Sequence, residues 1–184
     1  MGVRLERGAI TMKARAFWKA VTMDREEFLD QFLGVLRAGG VHYCLVGGQA
    51  VNAYAEPVVS LGLDVVVAAD QLKALEAALA QRFVVERFEH CINVSAPGSD
   101  LRVQIQTDPR YFAFLDHATP REVLGLTVPV ARLEDVLQGK IWAALDPTRR
   151  PSKRQKDLAD IARLLEVAPE VRDRVPAELL ARLI

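Results

Sequence analysis

The chain has 184 residues, 51% of them hydrophobic, and its 24 Lys and Arg balance 24 Asp and Glu to a formal net charge of zero. That length and apolar content suit one core with room for a small helical appendage, and exclude wholesale disorder. The balanced charge excludes a global basic field, so nucleic acid would have to find a local patch. No run reaches the roughly 18 apolar residues that a membrane span needs.

Residues 1–22 carry Arg4, Arg7, Lys13, Arg15 and Lys19 without a continuous apolar stretch. They read as a poorly ordered extension rather than a secretory signal, and cytoplasm is the expected location. Thr22-Met23-Asp24 offers a cap, Phe28, Phe32, Val35 and Leu36 recur at helical spacing, and Gly39-Gly40 ends the run. Val41–Val46 is a short apolar strand, Gly47-Gly48 a tight turn, and Gln49–Tyr54 a short helix closed before Pro57. Leu63–Ala68 is a second strand, buried on both faces, and Asp70–Gln81 a helix with Leu72, Leu75 and Leu79 on one side.

Strands are expected at Phe83–Phe88, Cys91–Ser95 and Leu101–Gln106, the last with an apolar face and a polar face of Arg102, Gln104 and Gln106. Tyr111–His117 is irregular or a short helix, and Leu126–Ala131 another strand. Helical periodicity then takes over at Leu133–Leu145, Lys153–Leu165 and Ala177–Ile184. The fold class is α/β (α+β): a mixed sheet of about five strands flanked by helices, then a helical C-terminal part. The expected division is an extension over 1–22, an α/β core over 23–131 and a helical region over 132–184 packed on that core.

Cys44 and Cys91 sit in apolar strand-like runs and read as buried free thiols, without the spacing of a zinc site. Asp64 is the residue that composition does not explain. A carboxylate followed by Val65-Val66-Val67 in a buried strand needs either a partner or a solvent-facing cleft.

Gly47-Gly48, then Ser60-Leu61-Gly62-Leu63-Asp64 on the next strand, then Lys140, then Lys153-Arg154-Gln155-Lys156-Asp157-Leu158-Ala159-Asp160-Ile161, occur in an order that resembles the nucleotidyltransferase fold. Within it the chain is similar to bacterial AbiEii-type abortive-infection toxins over roughly residues 24–166. The resemblance implies a nucleoside triphosphate bound at Gly47, Gly48, Ser60, Lys140 and Lys156, with Asp64 as catalytic residue and metal ligand. Residues i and i+2 of a strand face one way, so the family's Asp-x-Asp aims two carboxylates at one metal, and a neighbouring strand supplies a third.

In this chain Gly62 stands at the first of those positions and Gln104 at the third. The resemblance therefore implies Mg²⁺ held weakly and nucleotidyl transfer impaired. The alternative is a catalytically inactive scaffold, a pseudoenzyme that binds RNA or a protein partner in a toxin–antitoxin-type module. Lys156-Asp157 reads either as a phosphate contact or as the surface of a helix. Nucleotide base, acceptor and oligomeric state stay open at this point.

Overall fold

A computed structural model describes residues 25–183. The extension expected over 1–22 and the cap candidate before Arg25 lie outside the described residues. Helix α1 covers 25–38, and Phe28, Phe32 and Leu36, spaced four apart, are buried along one stripe. Strand β1 (Tyr43–Val46) runs directly into α2 (Gly47–Asn52), so the helix begins at the first glycine, two residues earlier than its periodicity suggests. Strand β2 (Gly62–Val67) returns antiparallel to β1, and α3 (Leu72–Leu79) buries Leu75 and Leu79.

Strands β3 (Val84–Arg87), β4 (Cys91–Ser95) and β5 (Arg102–Gln106) form an antiparallel meander whose last strand lies parallel to β2. A 3-10 segment, Pro109–His117, leads to β6 (Thr119–Val123) and β7 (Leu126–Val130). Helices α4 (Leu133–Leu145), α5 (Pro151–Val167) and α6 (Ala177–Leu180) follow.

The sheet has seven strands in the order β3-β4-β5-β2-β1-β7-β6, where about five were expected. The strand with no sequence signal is β6, Thr-Pro-Arg-Glu-Val. It is polar, mostly exposed and carries Pro120, which an edge strand tolerates because one row of its N–H groups needs no partner. Its hairpin to β7 turns on Leu124 and Gly125, both at positive φ (54° and 76°), the backbone that a two-residue turn between twisted strands favours.

Strand β2 lies between β1 and β5, and its residues alternate faces. Leu63 points toward α1, where Leu29, Leu33, Leu45 and Leu63 close around a small void. Gly62 and Asp64 point the other way, toward α4 and α5. One buried apolar cluster runs from Phe28 on α1 through the sheet to Leu179 on α6. Cys44 is fully buried as expected, and burial together with Asp135 pushes its thiol up to about 12. Cys91 is only half-buried, because β4 lies toward the edge of the sheet and turns this residue to the polar face.

Candidate functional site

The chain from β1 into α2 turns at Gly47, whose φ of +67° suits a residue without a side chain. A Cβ there would stand 2.8 Å from the Asp64 Cγ, so the glycine also makes room for the carboxylate on the neighbouring strand. At Gly48 a Cβ would lie 3.3 Å from the Ser60 Oγ and 3.7 Å from the Lys156 Nζ, which places that hydroxyl and that ammonium over the turn. Gln49, 2% exposed, donates from Nε2 to the Ser60 carbonyl at 3.0 Å. Asn52 Nδ2 donates to Val58 O at 2.8 Å, and its Oδ1 accepts from Val58 N. These two amides hold the loop that presents Ser60. Sequence reasoning gave neither a role.

Asp64 forms the floor. Its register partner on β5 is Gln104, and Gly62 pairs with Arg102, so the polar face of β5 continues the floor beside it. Above stands a cleft of about 710 Å³ whose wall is Arg149 and Arg150, leading into α5, and Lys153 and Lys156 on that helix. Arg102, Arg150, Lys153 and Lys156 form no ion pair among the described residues. Asp100 and Asp108, the other acids near β5, are engaged with Arg25 at 3.3 Å and Arg110 at 2.6 Å.

Burial raises the Asp64 carboxyl above the usual carboxylate range. Lys140, Arg149 and Lys156 pull it back down, and Asp157 adds to the rise. All six expected site residues therefore meet: Gly47, Gly48, Ser60, Asp64, Lys140 and Lys156 line this cleft and the cavity joined to it.

Lys140 differs from the others in being committed already. It is 7% exposed, 3.0 Å from Asp157 Oδ1 and 2.6 Å from Asp160 Oδ2. Burial lowers its ammonium pKa, but Asp160 and Asp157 outweigh that and leave it raised. Asp157 also accepts from Arg149 Nε at 2.6 Å, and Asp160 from Arg163 Nη1 at 2.8 Å. Asp157 is thus buried inside the fold and not on a helix surface, one i,i+3 step from the equally buried Asp160.

The site can be tested for the Mg²⁺ that the resemblance implies. That ion takes six oxygen ligands in a strict octahedron and, in nucleotide sites, leans on one or two carboxylates. Here Asp64 brings one carboxylate, Gln104 an amide, and Gly62 nothing. The next carboxylate, Asp157, is already neutralised by Lys140 and Arg149. Among the described residues no three His, Cys, Asp or Glu stand close enough to hold one ion. The donor set does not fit.

A second cleft, of about 620 Å³, opens between β5 and the Tyr111–Trp142 wall and meets the first at Gln104 and Arg149. Tyr111 and Trp142 pack edge to face at 5.3 Å, with the Arg110 guanidinium 4.8 Å over the indole. His117 lies 3.2 Å from Asp135, 18 residues further along the chain.

A strand, a Gly-Gly turn, an acidic position on the returning strand and a basic helix over it form the nucleotidyltransferase arrangement. Residues 58–184 match the family model described as "Nucleotidyl transferase AbiEii toxin, Type IV TA system". The chain belongs to this AbiEii nucleotidyl transferase family.

Two solved structures of ANT(2″)-Ia agree in fold with this AbiEii-family chain. The crystal structure of ANT(2″)-Ia in complex with adenylyl-2″-tobramycin is 13% identical at a TM-score of 0.59, covering 86% of this chain and 98% of that one. The solution structure of the antibiotic-resistance factor ANT(2″)-Ia gives 0.56 at 13% identity, over 84% and 94%. Lincosamide antibiotic adenylyltransferase LnuA with bound lincomycin gives 0.49 at 12%, over 76% and 97%. No curated protein matches the chain. Among the described residues no helix is long and apolar enough to cross a membrane.

Proposed function

We propose that the cleft over Asp64 binds a nucleoside triphosphate, and that the family's nucleotidyl transfer is impaired in this chain. The observation that carries the reading is the joint placement of Gly47-Gly48, Ser60 and Lys156 around the cleft, with Gly62 and Gln104 beside Asp64 where carboxylates would be needed. The Gly-Gly turn lets a phosphate come close to the backbone, Ser60 and Lys156 donate to it, and Arg149 stands between the two clefts as a further donor. Lys140 is a positioning residue in this scheme: through Asp157 it fixes Arg149.

The membership in a toxin family fits a role in a toxin–antitoxin-type module, and the bound nucleotide would be what such a module reads. Calorimetric titration with ATP, GTP, CTP and UTP tests this, with Lys156→Ala as comparison. Saturable heat from the natural protein that weakens about tenfold in the variant supports it, as expected for one charge-assisted contact. Baseline heat for all four from folded protein overturns it, and RNA or a protein partner then becomes the ligand to seek.

A further inference from the structure

The cleft carries too much positive charge and too few oxygen ligands for a metal-bridged triphosphate. We infer that the phosphates are held directly by Lys156, Arg149, Arg150 and Lys153 over the Gly47–Gly48 turn, with no divalent cation between them and Asp64. This rests on the nucleotide-binding reading above and sharpens it.

The space in front of Asp64 is shared with the charges of Lys140, Arg149 and Lys156 and with the carboxylate of Asp157. With Asp157 matched by Lys140 and Arg149, a dication entering there would meet one unmatched carboxylate and the unmatched charges of Arg150, Lys153 and Lys156. A triphosphate would meet the reverse. Arg150, Lys153 and Lys156 carry no carboxylate partner among the described residues, while every acid near the floor except Asp64 is matched by a base. The first turn of α5 has no acidic residue yet contains Lys153 and Arg154, against the preference of a helix start for negative charge. A polyanion relieves that conflict.

The position of the missing carboxylate is open as well: a Cβ on Gly62 would meet nothing within 4 Å. Among the described residues nothing fills the place where a metal's second ligand would stand. Without a metal to draw charge from the reacting phosphate, a bound triphosphate would be retained intact.

The test is calorimetric titration of the full chain with ATP and with inorganic triphosphate, in EDTA and in excess Mg²⁺, for the natural protein, Lys156→Ala and Asp64→Asn. Melting curves establish that each is folded. Binding in EDTA at least as tight as in Mg²⁺, weakened about tenfold by Lys156→Ala and not weakened by Asp64→Asn, is the expected result. Binding that Mg²⁺ tightens about tenfold or more, with the gain lost in Asp64→Asn, overturns the inference and leaves nucleotide binding standing. No binding in either condition removes both.

Discussion

Gly47 and Asp64 occupy one space: a Cβ on the glycine would lie 2.8 Å from the carboxyl carbon of the aspartate. The glycine also holds φ at +67°. Gly47→Ala thus meets two penalties, a left-handed backbone of about 1–2 kcal/mol and displacement of the floor carboxylate. Urea unfolding should register a loss of at least that size. Gly48→Ala, whose Cβ would stand 3.3 Å from a hydroxyl that can rotate, should lose less.

Gly62→Asp should fold. The position has open space and is not among the residues at positive φ, so the backbone accepts a side chain there. Replacing glycine also narrows the unfolded ensemble, by about 0.4–1 kcal/mol, which offsets repulsion from Asp64. The melting temperature should stay within a few degrees. Calorimetry should detect Mn²⁺ binding to the variant that the natural protein lacks. An unfolded variant would mean that the glycine is required by the backbone.

Lys140→Met leaves Asp157 and Asp160 without their shared cation. Removing one member of a buried ionic group costs about 3–5 kcal/mol, so urea denaturation should show a drop of that order. Arg110→Ala, which breaks an exposed bidentate pair with Asp108, should change stability by about 1 kcal/mol or less.

Burial gives the Asp64 carboxyl a higher pKa folded than unfolded, so the native state keeps a proton at pH values where the unfolded chain has lost it. The contribution is therefore fully present below the unfolded pKa and is lost as pH rises through the folded one. Asp64→Asn removes this dependence. The variant should match the natural protein near pH 3 and exceed it at neutral pH, with the gap opening upward from about pH 4. Urea unfolding across that range checks the sign, and a gap that widens toward acid would contradict it.

The parts of this molecule that sequence announces are those where one property repeats or conflicts locally. Phe28, Phe32 and Leu36 repeat at helical spacing, and Asp64 conflicts with the valines that follow it, so α1 and the floor of the site were both legible. Gln104 was placed beside Asp64 by motif order alone, and the β2–β5 register puts it there. What escaped depends on contacts distant along the chain. Strand β6 is a strand because β7 pairs with it, since Pro120, Arg121 and Glu122 at its centre favour nothing of the kind. Lys140 looks like any helical lysine until α5 folds back and delivers two aspartates to it. Gln49 and Asn52 gain their roles only when the loop closes over them.

Arg163 reaches from α5 to Asn52 Oδ1 at 2.9 Å and to the Glu56 carbonyl, while its other nitrogen holds Asp160. One guanidinium thereby staples the helix wall of the cleft to the loop wall that carries Ser60. The width of the opening is set by the fold's own contacts. A cleft held in this way would select by fit, and little ordering entropy would be lost on binding. Hydrogen-exchange rates in α2 and α5 should accordingly change little between the empty and occupied protein.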